Sequence, residues 1–268
     1  MIRVRTYGSA PRKVAVVHGG PGAAGEMAPV AERLSGVAGI VEPLQTETTV
    51  DGQGVELAEA LRTYGAVPVT LIGYSWGAWL SLIVAARYPS YVRKVVCVGS
   101  GVFEEACAAD LMTTRLGRLA PEEREEAESL VLTLGVPSAG DRDAMLARFG
   151  RLMAKADTYC PLSRDARARR DGDAALCRVD EEIHRKVWAE AHALRKNGRL
   201  LEICRDVQCP VVAVHGDYDP GPVEGVRAPL SRTLRDFRFI LLEKCGHCPW
   251  VEEEACNLFF DILIREIA

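Results

Sequence analysis

Val67-Pro68-Val69-Thr70-Leu71-Ile72-Gly73-Tyr74-Ser75-Trp76-Gly77 carries an apolar run into a glycine-flanked serine, and a stretch with the texture of a helix follows to Tyr88. The run is short enough for a buried strand, and the serine falls on the turn between strand and helix. Glycines two positions to either side let the backbone take an unusual conformation there, because larger residues would collide with neighbouring main chain. Such a turn pushes the hydroxyl into a cleft. Five residues can match by chance, so the flanking chain carries the argument.

Upstream, Ile2 to Tyr7 reads as a half-buried strand and Lys13 to Val17 as a more fully buried one. The second ends in His18-Gly19-Gly20-Pro21-Gly22, which neither continues a strand nor starts a helix cheaply and so makes a tight loop. Gly39 to Glu42 is a short strand closed by Pro43, and the spacing over Val50 to Tyr64 predicts a helix. Downstream, small residues at Gly77, Ala78, Ser81 and Ala85 let the post-serine helix sit close to a sheet until Tyr88-Pro89 stops it, and Val92 to Val98 is another buried strand. The alternation predicts an α/β fold with a mostly parallel sheet flanked by helices and its chemistry at the C-terminal strand ends.

Near Val102 the texture changes. From there to about Val207 the chain is dense in Arg, Asp and Glu, with helices expected at Pro121-Glu-Glu-Arg-Glu-Glu and at Asp180 to Ala193. Their charge runs read as solvated faces. Strand texture resumes at Pro210 to Val214 and Phe237 to Leu242, and Glu252 to Ile267 reads as the last helix. The expected organisation is a core of residues 1–101 and 208–268, with a helical cap, 102–207, inserted over the strand ends.

The chain has 268 residues, 48% hydrophobic, enough for one large core. A net charge of -4 with mixed signs argues against a nucleic-acid surface and leaves no membrane-attracting patch, so small molecules or short peptides are the expected partners. The N-terminus alternates apolar and polar residues and shows no secretion signal, and apolar stretches such as Ala78 to Ala86 are too short to span a membrane. Nine cysteines without framework spacing fit reduced thiols in the cytoplasm.

Two further strands end in chemistry-bearing loops: His215-Gly216-Asp217-Tyr218-Asp219-Pro220 after the first and Cys245-Gly246-His247 after the second. A serine, an acid and a histidine thus each follow a different strand, in that order, which is the arrangement of the α/β-hydrolase fold. The chain resembles that family over nearly its whole length. His18 to Gly22 with Gly73 to Gly77 is similar to the proline iminopeptidase branch, whose loops commonly read HGGPG and GGSWG; the chain departs at Tyr74 and has fewer N-terminal strands. His215 to Glu252 also resembles uncharacterised hydrolases with HGDYDP and CGH-x-PW loops.

A serine hydroxyl is a poor nucleophile at neutral pH, so His247 is expected to take its proton as Ser75 attacks an acyl carbon. Asp217 and Asp219 share one turn, and either could be a turn-forming residue; the resemblance selects Asp219 as the acid that orients the imidazole. The backbone N–H groups of Gly20 and Trp76 are the expected oxyanion donors. Ester or amide hydrolysis of this kind needs no cofactor and no metal. For aminopeptidase action on N-terminal proline, Glu181, Glu182, Glu190 and Glu202 are candidate carboxylates for a substrate ammonium. The resemblance gives His18 and His215 structural roles, while His184 and His192 in the inserted region read as surface residues. Trp76 and Trp79 read as interior. The sequence also admits two other readings: a binding protein that keeps the fold without catalysis, and thiol–disulfide exchange at Cys245-Gly246-His247-Cys248, where the two thiols could also make a hydrolase redox-sensitive.

Overall fold

The computed structural model describes residues 2–135, 141–163 and 179–268. Seven strands form one sheet: β1 (Val4–Tyr7), β2 (Val14–Val17), β3 (Ile40–Pro43), β4 (Val69–Tyr74), β5 (Val92–Val98), β6 (Val211–Gly216) and β7 (Phe237–Leu242). Their order is β1-β3-β2-β4-β5-β6-β7, with β1 antiparallel to β3 and all other neighbours parallel. The described helices are α1 (Ala28–Leu34), α2 (Val50–Tyr64), α3 (Trp76–Arg87), α4 (Leu111–Gly117), α5 (Pro121–Leu134), α6 (Arg142–Ala156), α7 (Glu181–Lys196), α8 (Arg199–Cys204), α9 (Glu224–Thr233) and α10 (Cys256–Ile267).

Parallel strands covered on both faces read as near-continuous apolar runs, and β2, β4 and β6 are buried throughout. Alternation then sorts the side chains. Ala15, Val17 and Leu71 point into one apolar cluster with α2 and α3; Val14, Val16 and Ile72 point into the other with α1 and α10. The chain turns one way from β2 to β3 and then crosses back to β4, so the loops after β2 and β4 flank a topological switch point, where such sheets leave a crevice. The glycine-rich loop and the Ser75 turn are those two loops.

Strands Val92–Val98 and Phe237–Leu242 and helix Val50–Tyr64 have the limits the sequence suggests. The last helix starts later than expected, at Cys256, because Pro249–Val251 makes a separate short turn and Glu252 is extended. Outside the segment between β5 and β6, two helices had no sequence-level expectation. α1 buries only Val30, Ala31 and Leu34, and α9 carries Pro229 in its interior, a residue that ordinarily argues against helix.

Between β5 and β6 lie α4 to α8. The residues Leu119, Ala127, Leu152, Met153 and Ala156 give α4 to α6 a small apolar cluster of their own. By contrast, Ile183, Val187, Ala191, Leu200 and Cys204 of α7 and α8 join the large cluster under α3. Among the described residues, no helix is long and apolar enough to cross a membrane.

Candidate active site

Ser75 has φ 50° and ψ -114°, a left-handed conformation that costs of order 1–3 kcal/mol for a residue with a Cβ. The neighbouring glycines make it possible. A Cβ on Gly73 would lie 2.2 Å from the Gly77 oxygen, and one on Gly77 would lie 2.4 Å from the oxygens of His18 and Val17. The turn is thus jammed between β4, α3 and the end of β2, and it holds the serine at the strand end.

His247 reaches the same point from the loop after β7. Its Nε2 is 3.1 Å from Ser75 Oγ, and its Nδ1 is 2.7 Å from Asp219 Oδ2. A carboxylate only accepts, so Nδ1–H donates to Asp219 and Nε2 is left to take the serine proton. Burial opposes a charged imidazole here, but the charge and hydrogen bond of Asp219 outweigh it and hold the His247 pKa above its ordinary value. Burial likewise opposes the Asp219 carboxylate, and the charges of His247 and His215 with the hydrogen bonds to it bring its pKa down to about 2. Asp219 Oδ1 accepts from the Gly221 N–H at 2.8 Å, which fixes the carboxylate plane. Asp217 faces elsewhere: its Oδ1 accepts from the Cys245 N–H at 3.1 Å. Tyr74, the residue that departs from the GGSWG pattern, packs its ring 5.1 Å from that of His247 and edge-on to Trp250.

The loop after β2 passes beside Ser75. Trp76 is the first residue of α3, so its N–H has no acceptor within the helix. Its indole turns inward and donates to Gln53 Oε1. A Cβ placed on Gly20 would meet nothing nearer than His184 Nδ1 at 4.0 Å, so that face of the loop is open. His18 is fully buried at the end of β2, and burial pushes its pKa down to about 4. His215 is also buried and donates from Nε2 to the Gly221 oxygen at 2.9 Å.

Several side chains beside the site carried no sequence signal. Glu26 Oε2 accepts from the Gly19 N–H at 2.9 Å, and burial raises its pKa to about 7, against the pull of that hydrogen bond and of His247. Asp157, after α6, makes a two-pronged pair with Arg115 of α4, and its backbone oxygen accepts from the His247 N–H at 2.8 Å. Glu252 is fully buried below the histidine loop. His184 does not stand free on the surface: its Nδ1 donates to the Pro21 oxygen at 3.2 Å, and its ring stacks on Trp188, which stacks on Trp79.

The four glutamates considered for an ammonium are engaged elsewhere. Glu190 accepts from the Val50 N–H, while Glu181, Glu182 and Glu202 pair with Arg142, Lys186 and Arg199. His192 pairs with Glu105. No cluster of three or more His, Cys, Asp or Glu suited to a metal ion occurs among the described residues.

Residues 42–254 match the family model described as alpha/beta hydrolase fold. The chain belongs to the alpha/beta hydrolase fold family. Solved members of similar shape include an esterase from Exiguobacterium antarcticum (TM-score 0.66, 18% identity, 99% of this chain and 95% of that one). A monoacylglycerol lipase from Paleococcus ferrophilus has TM-score 0.64 and 15% identity over 100% and 98% of the two chains. E-2-(acetamidomethylene)succinate hydrolase has TM-score 0.61 and 21% identity over 98% and 94%. No curated protein matches this alpha/beta hydrolase at the sequence level.

Proposed function

We propose that this protein is a serine hydrolase that cleaves a small acyl ester through an acyl-enzyme. The observation that carries the reading is the unbroken line of hydrogen-bond distances from Ser75 Oγ to His247 Nε2, 3.1 Å, and from His247 Nδ1 to Asp219, 2.7 Å. Ser75 attacks the acyl carbon while His247 takes its proton, and Asp219 stabilises the imidazolium. The N–H groups of Trp76 and Gly20 receive the oxyanion. His247 then protonates the leaving alcohol, and a water repeats the sequence to release the acid. Residues 102–207 serve as the cap over the strand ends, and the free thiol chemistry fits a reducing, cytoplasmic setting.

Ester cleavage is preferred over removal of N-terminal proline because each glutamate considered for the ammonium already holds a partner. Thiol–disulfide exchange is disfavoured because Cys245 is fully buried and burial drives its thiol pKa far up, whereas exchange needs a thiolate. The test pairs a p-nitrophenyl acyl ester with a prolyl arylamide and adds a fluorophosphonate probe. Ester turnover should exceed arylamide turnover, Ser75 should carry the adduct, and S75A should lose on the order of 10⁴-fold or more in kcat. Equal ester turnover by S75A and parent would remove the reading; absence of an adduct would favour a non-catalytic binding protein.

A further inference from the structure

Glu252 lies five residues beyond His247, has no exposed surface, and forms no ion pair among the described residues. Backbone N–H groups are what it gathers. Its Oε1 accepts from Gly246 at 2.8 Å and Tyr159 at 2.9 Å, and its Oε2 accepts from Cys160 at 2.8 Å. Gly246 immediately precedes His247, while Tyr159 and Cys160 belong to the strip that leaves α6, so one carboxylate joins two segments far apart in the chain. Main-chain bonds run along the same seam: the His247 N–H donates to the Asp157 oxygen, Glu253 to Cys160, and Leu162 to Val251, each at 2.8 Å. Contact is so close that a Cβ on Gly246 would lie 1.9 Å from the Asp157 oxygen and 2.7 Å from Glu252 Oε1.

We propose that Glu252 is a positioning residue for His247, holding the backbone on which the imidazole is mounted against the strip that follows α6. The inference rests on the hydrolase reading only for its kinetic consequence; the seam and its effect on the ring do not depend on which substrate is cleaved. A charge-assisted bond to a buried carboxylate is stronger than a neutral one, and three of them on one group resist tilting of the loop. Tilting matters because the His247 Nδ1 contact with Asp219 and the Nε2 contact with Ser75 both depend on where the ring sits. The ring's other charged and titratable neighbours are Asp157 and Arg115 from the inserted region, Glu26 from the loop after β2, and Tyr74 below it.

The test uses E252Q in the full chain. An amide keeps the shape but turns one acceptor into a donor, so an N–H of the seam is left facing an NH₂ group. The expected result is a fall of about tenfold in kcat on a p-nitrophenyl acyl ester with KM little changed, the scale of one lost charge-assisted bond. The independent readout is the NMR titration of the His247 ring, which should move toward the ordinary histidine value as its bond to Asp219 loosens. E254Q, whose residue pairs with Lys244 on the surface, serves as the control and should match the parent. An E252Q protein with a lower melting temperature but the parent's kcat and His247 titration would overturn the inference. If E252Q does not fold, E252D, which keeps both oxygens but withdraws them by a methylene, is read by the same titration: a shift supports positioning and no shift overturns it. Failure of the hydrolase reading looks different, because the parent itself would then neither turn over the ester nor label at Ser75.

Discussion

The two halves of the inserted region attach to the molecule in different ways. After α6, the strip from Asp157 to Leu162 is bonded to the loop that carries His247, yet α4 to α6 keep a small apolar cluster of their own. At the start of α7, Asp180 donates its N–H to the Gly22 oxygen and His184 donates to Pro21, so this half holds the loop beside Ser75, while α7 and α8 share the large core. One half is therefore tied to the site by backbone and carboxylate and only lightly to the core. The other is tied to both, and the two loops that must meet at Ser75 are held by anchors of different strength.

The most damaging way to break this contrast is Gly246→Ala. A methyl 1.9 Å from the Asp157 oxygen must force the histidine loop and the strip apart, and misplacing a reacting group by about 1 Å costs roughly 10²-fold. We expect kcat on a p-nitrophenyl ester to fall at least that far. Parent-like kcat in a folded G246A protein would show that the strip does not hold the loop.

Next come two core truncations. Leu200 and Leu152 are each about 1% exposed, but they lie in the large and the small cluster respectively. Leu200→Ala should cost about 2–5 kcal/mol of global stability. Leu152→Ala should instead raise hydrogen exchange in α4 to α6 and leave protection in β4 to β6 near the parent's. Equal loss of strand protection in both variants would erase the distinction between the halves.

A smaller effect, on the loop held by α7, follows from Glu26. Its folded pKa, about 7, lies above its ordinary value of 4.5, so the folded state binds more protons between those limits and loses stability as pH rises through them. Glu26→Gln should therefore raise the melting temperature at pH 8 by more than at pH 4.5. His18 acts with the opposite sign: with its pKa lowered to about 4, it withdraws stability as pH falls from 6.5 toward 4. A melting curve for E26Q that tracks the parent at every pH would show that Glu26 is not kept neutral by burial. The smallest expected effect is from the Arg148–Glu126 pair between α6 and α5, where screening by water leaves little net gain. Arg148→Ala should leave the melting temperature unchanged within error.

These contacts mark the limit of what the chain alone reveals. Strands such as Val14–Val17 were legible because burial on both faces demands an unbroken apolar run. The serine turn was legible because its sterics demand glycine at positions 73 and 77. Asp219 could be separated from Asp217 only by resemblance, since the two differ in what they face and not in local pattern. Glu26, Asp157 and Glu252 were invisible for a plainer reason. Each is an acidic residue that no local pattern singles out, and each acquires meaning from the backbone N–H or arginine that folding brings to it, or from burial that no local period records. His184 looked like a surface residue because nothing around it in the sequence indicates that Pro21 lies within reach.

The left-handed backbone at Ser75 also decides which side chains could ever replace it. Threonine offers the same hydroxyl, but a second branch on Cβ makes a positive φ a severe outlier. Cysteine has no such branch. The geometry of the turn thus leaves a thiol as an accessible alternative and shuts out the secondary alcohol, a preference imposed by shape before any reactivity is compared.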